Sequence, residues 1–221
     1  MSLDEVCNAI IELLPHSENN LGFVSPSHCI PQMVSIVEEL RSRGYHPTII
    51  YNSNGYDLPE TIRSLEGIVD VWLPDFKYSD DFLAEALSQA PYYSKSALAS
   101  LKEMLYQVGP TLHTDERGIA RRGIIIRHLV LPGFVENSLG VLRLIAEHLS
   151  PDLHLSIMSQ YYPPDKLLAQ NRKSLKRSIT RPEYEAVIDL FHSLGFTRGW
   201  LQEYESPQTY QPDFSRKNPF V

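Results

Sequence analysis

The sequence has little cysteine and no long apolar run. Its two cysteines, Cys7 and Cys29, stand 22 positions apart in a chain of 221 residues. Two separated thiols cannot supply the three or four clustered ligands of a zinc finger or a four-iron cluster, nor a disulfide framework. This scarcity favours a reducing, cytoplasmic location. The longest uncharged apolar run, Leu129–Val135, is far shorter than the roughly 20 residues of a membrane span, and no signal-peptide pattern is visible.

Positive charge is also sparse. The chain carries 20 Lys and Arg against 27 Asp and Glu, a net charge of −7, which argues against a nucleic-acid partner. The one basic run, Arg172–Arg177, could bind phosphate or an acidic partner, or form a solvated loop ahead of a helix. The apolar content of 43% suffices for a sizeable core. We predict one core over residues 1–204 and a proline-containing tail over residues 205–221.

Apolar runs alternate with amphipathic segments along the chain. Capping boxes at Ser2–Glu5 and Thr180–Glu183 mark two helix starts. The predicted strands are Gly22–Ser25, Thr48–Asn52, Val69–Asp75, Gly123–Leu131, Leu153–Met158 and Gly199–Glu203. The spacing of 20–55 residues between strand starts is typical of parallel βαβ units. The near-continuous apolar runs predict strands that are buried on both faces.

Polar residues follow five of these strands. In parallel α/β folds the carboxyl ends of the strands meet at one edge, where ligands bind. The sequence therefore predicts a functional rim at this edge. Its segments are Ser25-Pro-Ser-His28, Asn52-Ser-Asn-Gly-Tyr56, Pro74-Asp-Phe-Lys77, Arg127-His128 and Ser159-Gln160-Tyr161.

The charged residues of this rim have two interpretations each. Asp75 and Lys77 lie two positions apart and so face the same side of a strand; they bind a ligand or form a structural ion pair. Arg127 lies among isoleucines, where a guanidinium needs an anion. That anion is either a ligand or a carboxylate of the protein. His128 alternates with Arg127, and we expect it to pack against a helix.

The turn residues are equally open to two interpretations. His28 is a ligand or base, or it caps the following helix. Asn52 and Asn54 either support a sharp turn with Gly55 at positive φ or bind a ribose.

Six segments, taken in order, resemble the radical S-adenosylmethionine proteins. They are most similar to the branch of uncharacterised homologues of the pyruvate formate-lyase activating enzyme, and the likeness covers roughly residues 2–204. The segments are Phe23-Val-Ser-Pro-Ser-His28, Ile50-Tyr-Asn-Ser-Asn-Gly-Tyr56, Val69-Asp-Val-Trp-Leu-Pro-Asp-Phe-Lys-Tyr78, Arg122-Gly-Ile-Ile-Ile-Arg-His-Leu-Val-Leu-Pro-Gly133, Met158-Ser-Gln-Tyr-Tyr-Pro163 and Trp200-Leu-Gln-Glu203.

The resemblance implies an α/β fold, a partial (β/α) barrel of the radical S-adenosylmethionine type lacking its first strand. S-adenosylmethionine would lie across the strand ends. By position, the turn that meets the methionyl amine is replaced here by Ser25, Pro26, Ser27 and His28. The ribose turn corresponds to Asn52 and Asn54. The other cofactor-binding residues implied are Asp75, Lys77, Arg127 and Gln160, with Tyr161 beside Gln160.

One departure from the family is large. The family binds a [4Fe-4S] cluster through Cys-x3-Cys-x2-Cys, and this sequence has no such motif. In the complete enzyme the cluster passes an electron to the sulfonium, and a 5′-deoxyadenosyl radical then abstracts a hydrogen atom. We expect this chain alone to be inactive. The resemblance further implies an electron donor and a glycyl-radical or other protein or peptide substrate, with no membrane partner.

Two other functions are compatible with the same residues. A degenerate, non-catalytic barrel would bind a partner, and a Schiff-base aldolase or lyase would use Lys77 as its amine. The absent first strand would also leave Gly22–Ser25 as an open sheet edge. We expect such an edge to promote self-association.

Overall fold

The computed structural model describes residues 1–163 and 173–204. The chain divides into two compact units. The first consists of Met1–Phe76 and Tyr92–Ile126, and the second of Lys77–Pro91 and Arg127–Val221. The predicted tail, residues 205–221, lies outside the described residues.

All six predicted strands are present with shifts of their ends, and the described residues add a short strand, His113–Thr114. They are β1 Asn20–Val24, β2 Thr48–Ser53, β3 Val71–Pro74, β4 His113–Thr114, β5 Ala120–Leu129, β6 His154–Met158 and β7 Gly199–Leu201. Hydrogen-bonded neighbours follow the order β1-β2-β3-β5-β6-β7, while β4 pairs antiparallel with β5 off this path. The pairs β1 with β2, β2 with β3, β3 with β5 and β6 with β7 are parallel. The predicted α/β class is confirmed, and the described sheet is open, not closed into a barrel.

Helices separate the strands. They are α1 Leu3–Leu13, α2 Ile30–Ser42, α3 Pro59–Arg63, α4 Asp81–Ser88, α5 Tyr93–Val108, α6 Val135–His148 and α7 Arg181–Ser193. Both predicted capping boxes are present. The Glu5 amide donates to Ser2 Oγ at 3.2 Å while Glu5 accepts from the Ser2 amide, and the Thr180 amide donates to Glu183 at 2.7 Å. Across the described ranges, no helix is long and apolar enough to cross a membrane.

In the first unit, burial differs between the edge strand and its neighbours. Tyr51 of β2 and Trp72 of β3 are fully buried, and their rings lie 5.1 Å apart. The prediction of burial on both faces is wrong for β1, where Val24 is 73% exposed and a Cβ at Gly22 would meet no atom within 4 Å. β1 lies at one end of the strand order, so within the described residues it has a neighbouring strand on one side only.

In the second unit, two polar residues of α6, Asn137 and Ser138, form hydrogen bonds with neighbouring segments. His128 is buried, and its Nε2 lies 2.8 Å from Ser138 Oγ on α6, which confirms the prediction that this histidine packs against a helix. Asn137 binds the segment before α4: its Oδ1 accepts from the Ser79 amide at 2.9 Å, and its Nδ2 donates to the Lys77 carbonyl at 2.9 Å.

Candidate functional site

The turn after β2 requires a glycine. Gly55 has φ +78°, and a Cβ at this position would lie 2.0 Å from the Asp75 carbonyl oxygen. The Asn54 side chain accepts from the Tyr56 amide at 2.8 Å, which closes the turn. Asn54 is exposed and Asn52 is half-buried. The sharp turn is thus confirmed, while ribose binding by Asn52 and Asn54 stays a prediction.

A tyrosine connects the ends of β2 and β3. The Tyr93 hydroxyl lies 2.9 Å from the Asn54 carbonyl oxygen and 3.1 Å from that of Asp75. Its ring stacks on Tyr56 with centroids 5.8 Å apart. Ser100, two turns further along α5, donates to the Gly55 carbonyl at 3.3 Å. Helix α5 therefore fixes the backbone from which the Asn54 and Asp75 side chains project.

The turn after β1 has an unusual backbone. Ser25 adopts φ 49° and ψ 51°, the left-handed conformation that costs an ordinary residue about 1 kcal/mol. Its amide donates to the Asn52 carbonyl at 2.8 Å. Pro26 is buried, whereas Ser27 and His28 are exposed. Cys29 occupies the N-cap position of α2, so the alternative that His28 caps this helix is wrong.

Beneath both turns lies a buried carboxylate, Asp57. It is 5% exposed. It accepts hydrogen bonds from Ser27 at 2.6 Å, from Tyr51 at 3.3 Å and from Ser53. Burial is the main reason that the pKa of Tyr51 is raised, with Asp57 adding to the effect. Sequence reasoning missed Asp57 because it lies in a polar loop beyond the rim motif.

Asp75 and Lys77 are both half-buried. The Asp75 amide donates to the Ser53 carbonyl at 2.9 Å, which extends the parallel ladder one residue past the end of β3. Lys77 belongs to the second unit. Strand β3 ends at Pro74, so Asp75 and Lys77 lie beyond the strand on whose alternation the prediction of a shared face was based. That shared face stays a prediction.

The remaining predicted site residues lie in the second unit. Arg127 of β5 is half-buried. Gln160 follows β6, and its Oε1 accepts from Gln202 Nε2 at 2.9 Å. Gln202 Oε1 in turn accepts from the Ser159 amide at 2.9 Å. The Tyr161 hydroxyl donates to the Leu175 carbonyl at 2.9 Å, and burial raises the pKa of Tyr161.

The basic run is partly neutralised within the protein. Arg177 donates to both carboxylate oxygens of Glu183 at 2.7 Å. Glu183 also accepts from the Gly133 amide at 2.8 Å. The Arg177 guanidinium is the largest cause that lowers the pKa of Glu183 to about 2. Arg177 thus serves the second unit's structure, while Arg172 lies outside the described residues.

The described residues offer no ligand set for a metal cluster. Within residues 1–163 and 173–204, no three His, Cys, Asp or Glu side chains are grouped so that they could hold a metal ion. Cys7 is buried in the packing of α1 and Cys29 is half-buried, and neither forms a disulfide. A [4Fe-4S] cluster therefore does not fit this part of the chain.

Comparison with known proteins gives a fold likeness. No family model matches the chain. An uncharacterized protein of Methanocaldococcus jannaschii is 28% identical over 172 residues, which cover 77% of this chain. The chain spans 45% of that relative's length. A solved domain of a pyruvate-formate lyase-activating enzyme from Bacteroides vulgatus superposes with a TM-score of 0.58 at 12% identity, over 83% of this chain and 99% of that domain. The chain therefore shares the fold of that domain.

Proposed function

We propose that this chain is the S-adenosylmethionine-binding core of a radical S-adenosylmethionine enzyme similar to the pyruvate formate-lyase activating enzymes. The observation that carries this proposal is the fold likeness over 83% of the chain, together with the six sequence segments that place polar residues after successive parallel strands. The first unit supports it best, because its strand-end turns are held in defined positions by hydrogen bonds.

The residues that follow the strands of the first unit would contact different parts of the ligand. The exposed turn Ser25–His28 would meet the charged methionyl end of the ligand. Asn52 and Asn54, with Asp75, would hydrogen-bond the ribose hydroxyls, since amide and carboxylate oxygens accept from hydroxyl groups.

The radical chemistry needs a group that this sequence does not hold. The electron for reductive cleavage of the carbon–sulfur bond would have to come from a [4Fe-4S] cluster held by residues outside this sequence. The chain's own residues would bind and orient the ligand. The partners we propose are an electron donor and a protein or peptide that gives up a hydrogen atom. A glycyl-radical enzyme is the partner class that the activating-enzyme likeness suggests.

The test is direct binding of S-adenosylmethionine, measured by isothermal titration calorimetry. Without the cluster's iron the methionyl group loses a main contact. A loss of about 3 kcal/mol weakens binding more than a hundredfold, so we expect a Kd in the high micromolar range. Asp75→Ala should weaken binding further.

The matched control is Asp70→Ala, which removes a half-buried carboxylate of the same unit at the opposite end of β2. Asp70 accepts from the Ile49 amide at 2.8 Å, so its loss should affect stability but not binding. Nanomolar binding, or affinity unchanged by Asp75→Ala, would contradict the proposal. An equal loss of affinity in both variants would do so as well.

A further inference from the structure

Within the described part of the chain, the side chains that bind the buried Asp57 carboxylate are all hydroxyl-bearing. Its side chain accepts from Ser27, Tyr51 and Ser53, and among the described residues no cation lies within ion-pair distance of it. A buried carboxylate is costly unless hydrogen bonds replace its hydration. Hydroxyl groups from three positions provide that replacement here.

These hydroxyls connect the two turns of the candidate site. Ser27 belongs to the turn after β1, 30 residues before Asp57 in sequence. Ser53 ends β2, and its Oγ also accepts from the Gly55 amide at 2.9 Å. One carboxylate therefore holds the Ser25–His28 turn and the Asn52–Gly55 turn in fixed relation.

The turn after β1 needs such a support. Ser25 holds a left-handed backbone that relaxes unless its surroundings maintain it. The Ser25 amide donates to the Asn52 carbonyl, and the Cys29 amide donates to the Pro26 carbonyl within the turn. The Ser27 hydroxyl donates to Asp57 and lies 3.4 Å from the Tyr51 hydroxyl. Pro26 is buried and packs the middle of the turn, whereas Ser27 and His28 are exposed, so the Ser27 hydroxyl ties the exposed part of the turn to the protein interior.

We propose that Asp57 is a positioning residue, which acts through the Ser27 hydroxyl to hold the Ser25–His28 turn ready for the methionyl end of S-adenosylmethionine. This inference rests on the proposed function. The anchoring itself can be measured without any ligand, so the two claims fail separately.

The experiment compares Ser27→Ala, Ser27→Thr and Asp57→Asn with the unaltered chain. Hydrogen exchange at the Ser25 and Cys29 amides, which donate to the Asn52 and Pro26 carbonyls, reports the anchoring. Equilibrium dialysis with S-adenosylmethionine reports binding. Ser64→Ala is the control, because Ser64 is an exposed serine of the same unit whose hydroxyl donates to the Thr61 carbonyl at 2.7 Å.

We expect Ser27→Ala to speed exchange at these amides and to raise Kd about tenfold, the equivalent of ~1.4 kcal/mol. The denaturant midpoint should also fall, because the buried Asp57 carboxylate loses one of its donors. Ser27→Thr keeps the hydroxyl and should restore the exchange rate and Kd. Asp57→Asn should resemble Ser27→Ala. If Asp57→Asn fails to fold, the comparison of Ser27→Ala with Ser27→Thr tests the positioning role.

Unchanged exchange in Ser27→Ala would overturn the anchoring. Faster exchange with unchanged Kd, or no rescue by Ser27→Thr, would overturn the positioning role. Absence of binding by the unaltered chain would overturn the proposed function, and the positioning role with it, while the exchange data would still decide the anchoring.

Discussion

At the amino ends of β1 and β2 a cationic side chain, Arg121, connects the elements of the first unit. At their carboxyl ends a buried carboxylate, Asp57, does so through hydroxyl groups. Arg121 donates to Asn20 at 3.1 Å, to Thr48 at 2.9 Å and to the Glu18 carbonyl at 3.1 Å. It also pairs with Asp115 at 2.8 Å. At the opposite end, Asp57 and Tyr93 make their contacts to hydroxyls and backbone carbonyls.

The difference separates stability from function. The arginine at the amino ends satisfies its own donors within the protein and leaves little for a ligand. The network at the carboxyl ends uses buried groups for support and leaves Asn54, Ser27 and His28 exposed. Structural contacts at one end of the strands, with exposed polar groups at the other, match the division between a stabilising face and a binding face in parallel α/β barrels.

The largest effect is expected from Gly55→Ala at the carboxyl ends. Its Cβ would collide with the Asp75 carbonyl and approach the Tyr93 hydroxyl to 2.9 Å, so the turn must move. We expect a loss of about 3 kcal/mol in the free energy of unfolding, measured by urea denaturation.

Gly67→Ala is the matched control for this change. Gly67 has nearly the same φ, +75°, but a Cβ there meets no atom within 4 Å. Gly67→Ala should lower the free energy of unfolding only by the strain of a left-handed backbone, about 1 kcal/mol. Equal losses in the two variants would show that the close approach of Gly55 to the Asp75 carbonyl adds nothing to the cost of the substitution.

The second prediction concerns the amino ends. Arg121→Met keeps the apolar stem and removes the hydrogen bonds to Asn20, Thr48 and Glu18. Leaving these partners unsatisfied should cost about 2 kcal/mol in the free energy of unfolding. Binding of S-adenosylmethionine should not change. Weaker binding in this variant would contradict the separation of the two ends.

The same variant gives a pH test. Hydrogen bonds from the Ile119 amide and from Arg121 hold the pKa of Asp115 below its ordinary value. Because the folded pKa is lowered, this carboxylate adds stability above its ordinary pKa, about 4, and that stability is lost as the pH falls. The difference in denaturant midpoint between Arg121→Met and the unaltered chain should therefore narrow below about pH 4. A difference constant from pH 7 to pH 3 would contradict this assignment.

The third prediction returns to the carboxyl ends. Tyr93→Phe keeps the ring that packs on Tyr56 and removes the hydroxyl between two carbonyl groups. The loss in the free energy of unfolding should be about 1 kcal/mol, with an increase in the Kd for S-adenosylmethionine. Tyr106→Phe, at a side chain that is 81% exposed, should change neither quantity. Stability lost without any change in Kd would show that Tyr93 supports the fold alone.

The sequence predicted the framework of this unit better than its supports. Apolar runs located β2 and β3, and Asn54-Gly55 predicted the sharp turn, because these signals are local. The Ser27–Asp57 and Tyr93–Asn54 hydrogen bonds were missed because their partners lie 30 and 39 residues apart in the sequence. Strand β4 was missed because two residues carry no periodicity.

The smallest effect is expected at the edge of the sheet. β1 pairs with β2 on one side and is an edge strand of the sheet that the described residues form. Val24 is 73% exposed on this strand. An apolar edge strand offers its backbone groups to a second chain, so we propose weak self-association through β1. Sedimentation equilibrium across a concentration series should detect a dimer, and Val24→Lys should shift it towards monomer. Leu58→Lys adds the same charge at a loop residue that is 67% exposed, and it should leave the dimer intact. A monomer at every concentration, or equal effects of the two lysine variants, would mean that β1 is not the surface through which the chain associates.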